Sequence, residues 1–331
     1  MTVRSKEPSS PVNISRIGRF TVLTMENSKL RMSFLPELGA KMNSLKSLVT
    51  GREFLLQPAS PYRYPAYGKD FADFDTSGFD ECFPTVSPCV YPVGQLAGQR
   101  LPDHGDLWSI PWRHETESSG LLFEAEVQSL PCVFRKRVRL EGSSVLLRYE
   151  VENRSDIDFY WLWSAHPLLA VDSGCRIVLP REVTEVFVNW SRNDRLGKFR
   201  DTCGWPIART RRGEDVDLTL LTSAKAGTAD KLFTPLLAAG ECGLRYESGE
   251  SLFFHFSPKE VPYVGLWICQ GGWPTSANGH FTLALEPCTG RPDSLESAIK
   301  SGECKALAGR KKANWDLKLE VNHDKEESFS E

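Results

Sequence analysis

Val133-Phe134-Arg135-Lys136-Arg137-Val138-Arg139-Leu140 is followed by Glu141-Gly142-Ser143-Ser144 and then by Val145-Leu146-Leu147-Arg148-Tyr149-Glu150-Val151. The first run carries apolar residues at 134, 138 and 140 with basic residues between them. In the second, Val145, Leu147, Tyr149 and Val151 alternate with Leu146, Arg148 and Glu150. Two period-2 runs joined by a short Gly/Ser turn predict a β-hairpin with one buried face. Asn153-Arg154-Ser155-Asp156 closes it as a polar turn. Working outward, further short strands are expected over 31–35, 121–127, 176–179, 251–256, 263–269 and 281–285. Near the end, Trp315, Leu317, Leu319 and Val321 alternate with Asp316, Lys318 and Glu320. Helical periodicity is confined to one or two turns over 293–300, with Ser294 as a possible cap. The 21 prolines and 25 glycines fall at turn-like spacing without forming a linker. The economical reading is one large antiparallel β domain over 13–321, with residues 1–12 a flexible N-terminus and 322–331 a flexible charged tail.

Composition narrows the function. A hydrophobic fraction of 40% and a charged fraction of 25% over 331 residues fit a folded globular chain. A net charge of −3 is too balanced for a nucleic-acid binder that relies on a basic field. No apolar run reaches the length of a membrane span, and residues 1–15 lack the apolar core of a signal peptide, so a cytoplasmic protein is expected. The nine cysteines are odd in number and contain no CxxC pair, and His114-Glu115 is not followed by a zincin histidine. Neither spacing predicts a metal site, and the cysteines read as small buried residues of a reducing compartment. P-loop, dinucleotide and nucleophile-elbow motifs are missing as well.

Six histidines can be weighed singly. His104 lies in the loop Pro102-Asp103-His104-Gly105-Asp106-Leu107-Trp108, where it could face a polar cleft or simply bond the nearby acid. His166 lies in Trp161-Leu162-Trp163-Ser164-Ala165-His166-Pro167-Leu168, an apolar setting that demands a partner or a neutral ring. It reads either as a satisfied core histidine or as a proton donor in a dry pocket. Glu286 ends Phe281-Thr282-Leu283-Ala284-Leu285 and is either paired, with Arg291 the nearest cation in sequence, or used in chemistry. His114, His255, His280 and His323 read as structural or solvated. The tryptophans, Trp267 and Trp273 among them, suit core packing and sugar stacking alike.

Five stretches taken in order resemble the aldose 1-epimerase (galactose mutarotase-like) family: Phe34 to Lys41, Gly78-Phe79-Asp80-Glu81-Cys82-Phe83-Pro84-Thr85, Asp103 to Trp108, Trp163 to Leu168, and Leu285-Glu286-Pro287. They span most of the chain, and the likeness is closer to a divergent bacterial branch. The resemblance implies an all-β fold, a large antiparallel β-supersandwich with few short helices. It implies cofactor-independent interconversion of sugar anomers, with His166 as general acid, Glu286 as general base and His104 as a second histidine at the ring oxygen. A hexose-phosphate epimerase and a non-catalytic sugar-binding module are the alternatives. Asp80, Glu81, Asp230, Lys231 and Trp267 are the expected substrate contacts, with Asp230 the best match to the family's later aspartate. The family's early arginine has no counterpart in Gly78 to Pro84. A small-molecule sugar is the implied partner, and the chain is expected to be a monomer or homodimer. Ring opening needs a proton taken from the anomeric hydroxyl and one given to the ring oxygen. That chemistry calls for a histidine protonated near neutral pH and a glutamate raised by a dry site, on opposite sides of the ring.

Overall fold

A computed structural model describes residues 11–274 and 279–323. Most of the expected N-terminal segment (1–12) and charged tail (322–331) lies outside those residues. Two antiparallel sheets dominate. The larger has eleven strands, running from Val12–Ile17 at one edge to Thr202–Gly204 at the other. Its centre is formed by Phe79–Cys82, Ser164–Ala170, Phe281–Cys288, Tyr263–Gln270, Thr228–Phe233 and Glu185–Ser191, in that spatial order. The smaller has eight strands with Lys312–Asn322 and Ser144–Asn153 at its middle. The two sheets form the β-supersandwich expected from the sequence, with a single α-helix among the described residues.

The hairpin legible in sequence forms over Cys132–Glu141 and Ser144–Asn153, with Phe134 opposite Val151 and Val138 opposite Leu147. The short helix is Leu295–Ser301, and the Ser294 hydroxyl caps it by accepting from the Ser297 N–H. All nine cysteines are free thiols and six of them are buried.

Period-2 alternation gives each central strand of the large sheet two faces. Ala165, Leu169, Leu232, Leu266, Leu283 and Leu285 point inward and pack with Leu147, Leu317 and Leu319 of the smaller sheet in one continuous core. The alternate residues point to the outer face. There Phe71, Trp108, Leu168 and Ala284 form a small separate apolar cluster, and Phe233, Tyr263 and Cys288 form another. That second face is not covered by a sheet; a cleft lies on it.

One exception in the inter-sheet core was not expected. Lys136, read among the basic residues of the hairpin, is fully buried between the sheets. Its Nζ donates to Glu81 Oε1 at 3.2 Å and to the Ala40 carbonyl at 2.9 Å. Tyr149 donates to Glu81 Oε1 at 3.0 Å and Trp163 Nε1 to Glu81 Oε2 at 2.9 Å. Every oxygen of that carboxylate therefore has a partner, as a buried charge requires.

Candidate functional site

Strand register assembles the cleft, because directly opposed residues of antiparallel neighbours share a face. One row crosses five strands as Trp190, Lys231, Trp267, Ala284 and Leu168. A second runs through Phe187, Phe233, Gly265 and Glu286. Ser164 faces Cys288 and Leu168 faces Ala284, so His166 lies opposite Glu286; Asp80 flanks His166 on its other side. The two candidate acid–base residues, 120 positions apart in sequence, are thus side by side on adjacent strands. Both project from the same face of the large sheet.

Two local features shape this surface. The register shifts between Val188 and Trp190, and the extra residue lets both Asn189 and Trp190 line the cleft. At Gly265, a Cβ would lie 3.0 Å from Glu286 Oε2 and 3.2 Å from the Phe233 ring, so glycine leaves the carboxylate its space.

Glu286 is fully buried at the cleft floor. The Lys231 ammonium pairs with Glu286 Oε2 and lies 3.4 Å from Asp293 Oδ1. Ser164 Oγ is 3.4 Å from the same Glu286 oxygen, whereas Oε1 has no protein partner. Burial pushes the Glu286 carboxyl up from its ordinary value, and Lys231 only partly opposes this. Burial draws Lys231 down, but Asp293 and Glu286 outweigh it and the ammonium is held charged. Arg291, the neighbour in sequence, is elsewhere: it bonds Glu303 at 2.7 Å and the Thr234 carbonyl at 3.0 Å.

His166 is buried and its Nδ1 has no hydrogen-bond partner. Burial, together with His104, Lys231 and Lys41, holds its pKa well below 6.5. Both desolvation and nearby positive groups disfavour the imidazolium in the free protein, which runs against the protonated histidine that the sequence reading calls for.

His104 reaches the cleft from a loop built for it. Its backbone is left-handed (φ 56°), and its N–H donates to Val86 O at 2.6 Å. The next residue, Gly105, passes so close to Phe83 that a Cβ would sit 2.1 Å from the Phe83 carbonyl oxygen. Asp106 anchors the loop, accepting from Tyr67 OH and from the Gln128 and Ser129 N–H groups at 2.7–2.9 Å. Asp103 Oδ2 lies 3.0 Å from His104 Nδ1 and accepts the Phe71 N–H at 2.8 Å. Phe71 stacks on His104 with centroids 4.4 Å apart and meets His166 edge-on at 5.2 Å; the two imidazoles are 4.9 Å apart and nearly perpendicular.

His104, His166, Glu286, Lys231 and Trp267 all line one cleft of about 670 Å³. Trp190 and Trp273 flank Trp267 at 5.8 and 5.9 Å and complete an aromatic wall. The other expected contacts are placed elsewhere. Asp80 shares the face but is buried beneath the site, 2.8 Å from Lys41, with burial raising its carboxyl to about 6 against the pull of that lysine. Glu81, one residue on, points the opposite way into the inter-sheet core. Asp230 alternates with Lys231 and points away from the cleft, where Ser191 Oγ donates to it at 2.6 Å and Arg195 pairs with it. Sequence reasoning missed Asn189, Trp190, Asp293 and His280, which line the cleft. Asn189 Nδ2 donates to Asp293 Oδ2 at 2.9 Å, so these two brace the Lys231 pair. It also missed that Cys82 Sγ lies beside both candidate histidines.

No protein-family model matches the chain, and no curated protein matches it. Solved structures do. A galactose mutarotase related enzyme from Lactobacillus acidophilus is 17% identical, with a TM-score of 0.65 over 92% of this chain and 98% of that one. A putative aldose 1-epimerase from Escherichia coli K12 is 13% identical, with a TM-score of 0.66 over 92% and 99%. The Slr1438 protein of Synechocystis sp. PCC 6803 is 16% identical, with a TM-score of 0.65 over 98% and 100%. Likeness along nearly the whole chain to structures so named shows the fold: this protein has the galactose mutarotase-like fold.

Proposed function

We propose that the protein is an isomerase that interconverts the α and β anomers of a neutral aldose, with His166 and Glu286 sharing one catalytic proton. The observation that carries this reading is the placement of the two groups: Glu286 and His166 are opposed on adjacent strands in one cleft, and Glu286 Oε1 and His166 Nδ1 both lack protein partners. Burial raises the one and lowers the other from their ordinary values. Anomer exchange opens the ring and closes it again, so each group must give and take a proton in turn. His104, oriented by Asp103, adds a hydrogen bond at the ring oxygen. The aromatic wall of Trp190, Trp267 and Trp273 offers ring faces to the apolar side of a sugar.

A neutral substrate is favoured over a phosphorylated one. Among the described residues no arginine lines the cleft, and its one lysine is committed to Glu286 and Asp293. A phosphate subsite needs uncommitted basic groups. Nine free thiols fit a cytoplasmic setting. The Lys231–Glu286 pair favours a second reading, a non-catalytic sugar-binding protein, because it ties up the base.

Anomer exchange measured by NMR over a panel of free aldoses and their 6-phosphates separates these readings. The proposal expects acceleration with at least one free aldose and little with its phosphate. Acceleration confined to phosphates would replace the substrate class. Binding without acceleration would favour the second reading.

A further inference from the structure

Where the Phe79–Cys82 strand, the Ser164–Ala170 strand and the His104 loop meet, three donors converge. Cys82 Sγ, a ring nitrogen of His104 and a ring nitrogen of His166 all lie within 4.8 Å of one another. Cys82 is a buried free thiol. His104 has Nδ1 engaged by Asp103 at 3.0 Å, which leaves Nε2 as its free nitrogen. His166 is 6% exposed and has an Nδ1 without any protein partner.

We propose that this cluster binds a thiophilic divalent cation of the Zn²⁺ type, at the point where the cleft holds its sugar. One thiolate and two imidazoles are the donor set that selects zinc over hard cations, which prefer oxygen ligands. Three protein ligands leave the fourth position open toward the cleft, the arrangement of an accessible rather than a closed site. The Asp103–His104 bond supplies the carboxylate–histidine support that orients a metal-binding imidazole. Donors about a metal with bonds of about 2.0–2.3 Å lie roughly 3.3–3.8 Å apart, so side-chain rotation must draw the three together by up to about 1.5 Å. Binding replaces the Cys82 S–H bond with a metal–sulfur bond and releases one proton to solvent. Because the cation takes both histidines, it competes with sugar and inhibits any reaction that uses them.

Co²⁺, a spectroscopic stand-in for zinc, tests this directly. Titrated into reduced wild-type protein, it is expected to give thiolate-to-cobalt charge-transfer absorption and the visible bands of four-coordinate cobalt, both displaced by Zn²⁺. Cys82→Ser should lose the charge-transfer band while keeping the fold, since the replacement is nearly isosteric. Asp103→Asn should weaken binding by about 10- to 100-fold. Cys304→Ser, away from the cleft, should change nothing. If Cys82→Ser fails to fold, loss of the visible bands in His104→Gln, whose side chain is partly exposed, serves the same purpose. No charge-transfer band in wild type, or one that survives Cys82→Ser, overturns the proposal. The spectrum is read without sugar or turnover, so its outcome is independent of whether the protein proves to be an epimerase.

Discussion

Two buried lysine–glutamate pairs lie on opposite faces of the large sheet and do different things. Lys136–Glu81 sits between the sheets, where Tyr149, Trp163 and the Ala40 carbonyl complete its hydrogen bonds. Lys231–Glu286 sits on the other face, at the cleft floor, where Glu286 Oε1 and His166 Nδ1 lack partners. The first network is closed and holds the core together. The second is left incomplete at the cleft floor. An ion pair's role is thus set by which of its bonds remain unmade, since unsatisfied buried polar atoms are costly unless something comes to pair with them.

Breaking the closed pair gives the largest effect on stability. Lys136→Met leaves Glu81 charged and unpaired in the core and should cost about 3–5 kcal/mol in urea unfolding, with turnover per folded molecule unchanged. Adding Glu81→Gln should recover part of that loss, because the neutral amide removes the uncompensated charge while its oxygen can still accept from Tyr149 or Trp163.

Breaking the open pair should move a pH profile. Lys231→Met removes a positive charge beside both Glu286 and His166. Each then binds its proton more tightly, and the high-pH limb of anomer exchange shifts upward. A downward shift, or none, would mean that the shared proton is not what limits the rate.

A smaller effect sharpens the contrast through stability. His166 is depressed below 6.5 in the folded state, so the unfolded chain binds more protons there and stability falls as pH drops from about 6.5 toward the folded value. Glu286 is raised and acts in the opposite sense: its contribution is present below about pH 4.5 and is lost as pH rises through its folded value. His166→Gln should therefore flatten the decline between pH 6.5 and 5 in unfolding measured across that range. An unchanged slope would reject a neutral buried His166.

The smallest effect belongs to the rim. Trp190 is 42% exposed, so Trp190→Ala should leave stability nearly unchanged and weaken sugar binding by roughly 2- to 10-fold, read by calorimetric titration. A stability loss with unchanged affinity would make it a packing residue.

The hairpin of Val133 to Val151 was legible because period-2 alternation is a local signal. The burial of Lys136 within it was not, since its partner Glu81 arrives from 55 residues away. Glu286 stood out at the end of an apolar strand, yet its cation is Lys231 across two strands rather than nearby Arg291. The Val188/Trp190 register shift that turns Trp190 into the cleft leaves no local sequence mark. The same limit hid the Cys82–His104–His166 cluster: sequence spacing detects metal ligands only when they come from one segment. Asp80 and Glu81 were adjacent expectations, and strand alternation sent them to opposite faces.

Glu286→Gln, assayed for anomer exchange and thermal stability on the same preparation, tests the central claim most directly. Gln keeps the size of the side chain, and Asp293 still pairs Lys231, so the fold should persist. The amide cannot accept a proton at neutral pH, and exchange should fall by at least ~10²-fold with sugar binding much less affected. A folded Glu286→Gln protein with near wild-type exchange would contradict the shared-proton account.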